Sequence, residues 1–330
     1  MRTAECVSPG HPDKVCDQIS DAILDECLRQ DPDSRVAIET MGGHGIITIT
    51  GELTTKAYVD MSGIAKKVYR DLGYTDSIGV QVNVVSQSPD ISQGVDTGGA
   101  GDQGIMVGYA CNDNEEMIPQ ELYLARKILK SVLEVKELGP DGKSQITLND
   151  EGKISRLVVS VQEEGILETE PIVMQVLNDY KEYFADDCKV IVNGTGKFVI
   201  GGFEADAGVT GRKIVNDAYG PQVPVGGGAF SGKDPSKVDR SAAYMARKIA
   251  VDLLKQFAAD EVLVKIAYSI GIAEPLMVTV LVDGIICDKE HYKQFDLTPK
   301  GIIKYLDLKK PIYQKTAEWG TFGTGQKWEK

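Results

Sequence analysis

Only three histidines accompany six scattered cysteines in this 330-residue chain, and no two cysteines form a Cys-x-x-Cys pair. Neither a zinc site nor a disulfide framework is expected from Cys6, Cys16, Cys27, Cys111, Cys188 and Cys287. No apolar run approaches the ~20 residues that span a bilayer, and no basic region followed by an apolar stretch opens the sequence. A reducing, cytoplasmic compartment is therefore expected, with no membrane partner. Cationic excess is lacking too: the formal net charge of −13 argues against a nucleic-acid binder or a basic membrane-surface protein. No strand runs into a Gly-x-Gly-x-x-Gly turn, which argues against a dinucleotide fold, and inspection reveals no internal repeat.

What is present is an ordinary globular composition, 42% hydrophobic and 26% charged, in a chain long enough for two or three domains. In so acidic a chain, local clusters of cations are informative. The main one is the stretch Gly226-Gly-Gly-Ala-Phe-Ser-Gly-Lys-Asp-Pro-Ser-Lys-Val-Asp-Arg240. Its glycines let backbone approach a ligand closely, and Lys233, Lys237 and Arg240 bring positive charge to the same place, which suits a polyanion. Gly227 to Lys233 nearly spells a phosphate-binding P-loop, but Asp234 stands where a magnesium-binding Ser or Thr belongs, and the preceding Gly-Pro-Gln-Val-Pro-Val is not a buried strand. The plainer alternative is a helix start with Pro235 in its first turn and Asp239 and Arg240 solvated.

Along the chain, Gly10-His-Pro-Asp-Lys14 delivers His11, Asp13 and Lys14 to a helix start, either as an anion and magnesium site or as a simple cap. Strands at 36–40 and 46–53 flank a glycine-rich turn, with Glu39 and Glu52 near their ends as rim residues, a cation ligand or an amine-binding acid. A helix is expected over 55–72 and a strand over 78–86. The loop 87–104 has the composition of a segment that closes over substrate. A helix opened by Pro119, a Pro-Asp-Gly turn at 139–145, strands at 146–148 and 154–162, a helix over 171–184 and a strand at 189–192 follow. Asp206 to Lys213 is another glycine-and-charge loop. Strands come partly in hairpins, so the fold class expected is α+β with mixed sheets. His11, Lys14, Lys143, Arg212, Lys213, Lys233 and Lys237 supply cations, and Asp13 and Asp239 supply carboxylates, as a polyphosphate with a divalent metal requires.

In these segments the chain resembles the S-adenosylmethionine synthetase (methionine adenosyltransferase) family. The matching stretches are Gly-His-Pro-Asp-Lys14, Gln87-Ser-Pro-Asp-Ile91, Gly-Ala-Gly-Asp-Gln-Gly104, Lys143-Ser-Gln, Gly-Val-Thr-Gly-Arg-Lys213 and Gly226 through Tyr244, in family order across essentially the whole chain. The resemblance implies three similar α/β-layered domains with mixed sheets about a pseudo-threefold axis, built from non-contiguous segments: 1–9 with 113–202, 10–90 with 203–241, and 91–112 with 242–330. It implies adenosyl transfer from ATP to the sulfur of L-methionine, with tripolyphosphate cleaved to phosphate and diphosphate. It also implies a dimer or dimer of dimers with active sites between subunits.

By the same resemblance, His11, Lys143, Arg212 and Lys233 are the catalytic group, with His11 on the leaving tripolyphosphate. Asp13 and Asp239 hold two magnesium ions per site, and Glu39 holds potassium. Glu52, Gln87 and Lys237 serve methionine, and Asp206 is shared between methionine and ATP. Asp141, Lys143, Lys197, Phe198, Arg212, Lys213, Ala229 and Lys233 hold nucleotide and phosphates, Asp102 lies near the substrates, and 87 to about 98 is the gating loop. The chain departs from the family pattern at Lys197, where Arg is usual, and at Pro224-Val225. Its gating segment is also shorter, as is the part that ends soon after Trp328-Glu329. Two competing readings differ in what they require. A phosphotransferase calls for Ser or Thr at 234, whereas a silent regulatory subunit calls for loss of His11, Asp13, Lys233 or Asp239, all of which are present.

Overall fold

Three times the chain runs through one order of elements: a strand, a long helix, a hairpin and a return. A computed structural model describes residues 1–87, 98–163 and 168–330. The first pass comprises β1 (Arg2–Val7), α1 (Pro12–Gln30), β2 (Arg35–Gly43), β3 (Ile46–Thr54), α2 (Met61–Asp71) and β4 (Gly79–Val85). The second comprises β5 (Gly104–Cys111), α3 (Gln120–Leu133), β6 (Leu138–Leu148), β7 (Ile154–Glu163), α4 (Thr169–Leu177) and β8 (Phe184–Val192). The third has β9 (Gly208–Val209), the single turn α5 (Ile214–Asp217), α6 (Val238–Phe257), β10 (Glu261–Tyr268), β11 (Met277–Val282) and β12 (Ile285–Ile286), followed by α7 (Pro299–Leu306) and α8 (Tyr313–Thr316).

Each pass gives its first strand away. The three four-stranded sheets are ordered β1-β6-β7-β8, β4-β3-β2-β9 and β12-β11-β10-β5, so β1 pairs with the hairpin of the second pass, β5 with that of the third, and β9 with that of the first. The long helix of each pass covers its sheet: α1 lies on β2, α3 on β1 and β6, and α6 on β5 and β10. In the first two sheets β8 is parallel to β7 and β4 is parallel to β3, and α4 and α2 supply the crossovers that parallel pairs need. The third sheet is antiparallel throughout, because β12 returns from β11 by a tight turn. The result is the α+β fold with three domains and mixed sheets that the sequence led us to expect. The threefold order escaped inspection because it lies in the sequence of elements and not in residue identities.

Local chemistry explains most of these elements. His44 and Gly45 both take positive φ, 45° and 82°, which gives a two-residue hairpin its matching twist. α7 begins at Thr298, whose hydroxyl accepts from Gly301 N at 3.1 Å ahead of Pro299. Three boundaries differ from the expected ones. The segment at 139–145 is no turn: Pro140, Asp141 and Gly142 lie inside β6, where a shift in register between Leu138 and Gly142 absorbs the proline. The helix expected from Thr55 starts only at Met61, capped by the Asp60 carboxylate on Gly63 N. The helix expected to reach Phe184 ends at Leu177, passes into a 3₁₀ turn and gives way to β8. The proposed gating loop lies outside the described residues except at its ends, Gln87 and Gly98.

Helix and sheet meet closely at Gly108 in β5, where an added Cβ would lie 2.0 Å from the carbonyl carbon of Ala246 in α6. Neither backbone can yield without separating helix from sheet. Gly108→Ala is expected to lower stability by about 1–3 kcal/mol, read from equilibrium urea unfolding, and an unchanged midpoint would contradict this packing.

Candidate active site

Helix α1 organises the site. It is buried along almost its whole length, including its charged residues Asp13, Lys14, Asp17 and Asp21. Its lead-in is pressed against β6: the Ser8 hydroxyl donates to Pro140 O, and a Cβ at Gly10 would sit 2.4 Å from that same oxygen. His11 is the N-cap residue, and its Nδ1 accepts from Asp13 N at 3.1 Å. Nε2 therefore carries the proton of the neutral ring. Burial, with Lys213 and Lys143 nearby and only partly offset by Asp13, pulls the imidazole down to about 3. His11 is thus a neutral N–H donor at a helix N-terminus, where anions are favoured.

Asp13 is fixed by Val209 N at 2.9 Å, by Arg212 Nε at 3.2 Å and by Lys213 Nζ at 2.5 Å. Burial opposes its ionisation, but the Lys213 and Val209 hydrogen bonds win and hold it below the usual carboxylate range. Gly208 lets its loop reach α1, since a Cβ there would come within 2.1 Å of Pro12 O. Lys143 is exposed on β6 opposite Val7. Beside it Asp141 is buried, accepts from Gly202 N at 2.9 Å and is raised to about 6 by burial. Asp206 is exposed and accepts from Ala207 N.

Across the Gly211–Ala229 contact, where an added Cβ on Gly211 would lie 2.6 Å from that of Ala229, the central glycine stretch forms a cleft of 380 Å³. Glu39, Asp102, Ala229, Lys233 and Asp239 line it together with Thr210 and Ser231. Lys233 Nζ lies 2.6 Å from Asp239 Oδ2. An isolated bridge between Ala37 and Lys233 continues the row Ala37, Glu52, Val85 across the sheet. Glu52 and Glu39 therefore share a sheet face with this cleft. Gln87 joins that sheet through its amide on Thr54 Oγ1.

Three of the expected cations stand apart from these groups. Lys14 is no loop cation: it is fully buried in α1, 2.6 Å from Asp217 and 3.0 Å from Asp17, and this pairing outweighs desolvation to keep it charged. Lys237 sits on Asp234 at 2.5 Å. Lys197 is exposed and lines a separate cleft of 920 Å³ with Glu163, Glu168 and Glu170, next to Phe198, whose amide is held by Glu163. The Asp at 234 that spoils the P-loop pattern is buried and accepts from Val36 N at 2.7 Å and Ser236 N at 2.9 Å, so it fastens the loop to β2. Arg240 is not solvated: it makes a buried bidentate pair with Asp21. The spacing of Asp13, Asp17, Asp21 and Asp25, one every four residues, was the signal for these anchors.

Among the described residues no group of three or more metal-ligating side chains occurs. What is present is two separate carboxylates, Asp13 and Asp239, each already against a lysine. That donor set fits magnesium, which takes one or two protein carboxylates and completes its shell with phosphate and water. Glu39 offers one carboxylate at the cleft wall.

Comparisons with known proteins identify relatives over the whole chain. Family models described as the N-terminal, central and C-terminal domains of S-adenosylmethionine synthetase match residues 1–93, 97–198 and 200–330, which are the three passes along the chain. Similar proteins named S-adenosylmethionine synthase occur in Wolinella succinogenes, 48% identical over 97% of this chain and 92% of that protein. One from Sulfurovum is 45% identical over 99% and 95%, and one from Brachyspira hyodysenteriae is 44% identical over 97% and 92%.

The histidine geometry is open to direct measurement. In the ligand-free protein at pH 6, ¹⁵N NMR is expected to find His11 neutral with its proton on Nε2, and a cationic ring at that pH would overturn the electrostatics described.

Proposed function

The chain belongs to the S-adenosylmethionine synthetase family, whose enzymes make S-adenosylmethionine from ATP and methionine, and from that premise we propose how its residues perform the transfer. The thioether sulfur of methionine attacks C5′ of ATP, the C5′–O bond breaks with its electron pair leaving on the phosphate oxygen, and the tripolyphosphate is then hydrolysed to phosphate and diphosphate. A thioether is a nucleophile without a base. What remains for the protein is alignment and stabilisation of the departing anion.

One observation carries this reading: the cations converge. Arg212 and Lys213 stand beside the neutral His11 at the α1 N-terminus, and Lys233 stands across the Gly211–Ala229 contact. His11 donates Nε2–H to the oxygen that leaves C5′. Lys143, Arg212, Lys213 and Lys233 hold the remaining phosphate oxygens, and Asp141 and Ala229 bound the nucleotide, with Lys197 and Phe198, which belong to a separate cleft of the chain, reaching it across the subunit interface. Glu52, Gln87, Lys237 and Asp206 receive the methionine amine and carboxylate, with Asp102 alongside. Asp13 and Asp239 would hold magnesium and Glu39 potassium, which would supply charge neutralisation to the triphosphate.

The protein works as a dimer or dimer of dimers in this reading. Each sheet has helices on one face and an open, partly apolar face on the other: Met41, Ile46 and Val85 on one, Ile105, Met277 and Ile286 on another, each 39% exposed or more. Such faces need a partner. No helix among the described residues is long and apolar enough to cross a membrane.

Purified protein with ATP, magnesium, potassium and methionine is expected to yield S-adenosylmethionine by mass spectrometry, with phosphate and diphosphate, and nothing without methionine. His11→Ala and Asp239→Asn are each expected to lower kcat by about 10²–10³-fold. Methionine-independent phosphate release would favour a phosphotransferase instead. Light scattering is expected to give a multiple of the 35.8 kDa chain mass, and a monomer at micromolar concentration would sink the shared-site arrangement.

A further inference from the structure

Four aspartates of α1, at positions 13, 17, 21 and 25, form a line along one side of the helix, because a spacing of four residues returns to the same side. All are buried, and each accepts main-chain N–H groups from a segment distant in sequence. Asp13 takes Val209 N, and Asp17 takes Gly211 N at 2.8 Å. Asp21 takes Gly232 N at 2.8 Å, and Asp25 takes Tyr313 N and Gln314 N at 2.9 Å.

Two of these rungs end where the cations begin. Gly211 immediately precedes Arg212 and Lys213, and Gly232 immediately precedes Lys233. Both glycines hold positive φ, 81° and 80°, so both loops turn at the residue that donates to the helix. Asp21 has a second grip, because its two oxygens receive Arg240 Nη1 and Nη2 at 2.7 and 2.6 Å. Arg240 follows Asp239 in α6 and also donates to Lys233 O at 3.0 Å. Asp17 has a second attachment as well, through Lys14 to Asp217 just beyond Lys213. One rigid helix thus sets the separation between the Arg212–Lys213 loop and the Lys233–Asp239 segment.

We propose that Asp17 and Asp21 are positioning residues for adenosyl transfer, buried carboxylates that touch no substrate but hold the two cation loops at the separation the leaving polyphosphate requires. The proposal rests on the function given above. Its physical basis is that a carboxylate accepting a backbone N–H in a dry site is a strong and directional tether. A displacement of about 1 Å in the groups that orient a reacting centre costs about 100-fold in rate.

Asp25 provides the internal comparison. It shares the helix, residue type and burial, and accepts the same kind of bond, but its partners Tyr313 and Gln314 precede no residue of the candidate site. Steady-state kinetics on wild type, Asp17→Asn, Asp21→Asn and Asp25→Asn should be run well below each variant's melting temperature, with folding checked by circular dichroism. Asp17→Asn and Asp21→Asn are expected to lose kcat about 10–100-fold with the KM for ATP changed far less. Asp25→Asn is expected to lose melting temperature while keeping kcat within about twofold.

Equal kcat losses in all three, or kcat unchanged at positions 17 and 21, would overturn the proposal by reducing the ladder to plain stabilisation. Should either Asn variant fail to fold, Asp17→Glu and Asp21→Glu keep the charge and move the carboxylate by one methylene. A lowered kcat at retained melting temperature then supports positioning, and an unchanged kcat refutes it. Wild type that forms no S-adenosylmethionine would instead refute the assigned function, so the two failures are distinct.

Discussion

A helix whose charged side is sealed inside the protein is the constraint on which the rest of this structure depends. Each buried carboxylate of α1 carries a desolvation cost that main-chain donors and cations must offset. They do so incompletely at Asp17, where burial, assisted by Asp217 and opposed by Lys14, leaves the carboxyl raised to about 6. A protein that needed only stability would place apolar residues there. What the ionic helix contributes is direction, since a carboxylate accepts an N–H at a defined place, whereas an apolar contact tolerates sliding. The loops hung from it are glycine-rich and could otherwise adopt many conformations.

The exchange of first strands among the three passes makes that helix effective. β1 ends at Val7 in the second pass's sheet, and five residues later α1 begins on the first pass's sheet. His11 therefore lies at a junction between two sheets, with Lys143 from one and Val209 from the other within its surroundings. β9 brings Arg212 and Lys213 to the same junction by pairing with Met41 and Gly42 of β2. Three separate sheets in sequential order would leave these segments in different domains. Interleaving also makes most close contacts long-range in sequence, so the site cannot assemble until all three passes have been made.

Much of this was legible in residues. Strand runs on either side of a glycine-rich turn marked the first hairpin, and the glycine-and-cation loops marked the candidate polyanion site. What was not legible follows from tertiary partners. Asp234 looks like a defect in a P-loop until Val36 N is seen to depend on it. Pro-Asp-Gly at 140–142 is a turn by local preference, yet pairing with β7 and the burial of Asp141 hold it extended. Lys14 counted as a free cation because nothing near it in sequence announces Asp217, some 203 residues away. In each case a polar residue that read as exposed chemistry serves as a buried attachment, and the residues that do face the cleft are those beside it.

The electrostatics of His11 follow from the same economy of placement. Its ring is held neutral by burial first and then by Lys213 and Lys143, with Asp13 pulling the other way. An anion bridging Lys143 and Lys213 offsets those two cationic influences and leaves burial and the lesser effect of Lys14 against Asp13. The imidazole therefore gains proton affinity in the direction of ligand charge, and a neutral donor hydrogen-bonded to a departing oxyanion strengthens its bond as that charge develops. A cationic histidine fixed in advance would bind ATP and product polyphosphate more nearly alike. In the proposed function, a ring kept neutral until the charge appears would reserve its stabilisation for the transition state, where it changes the rate.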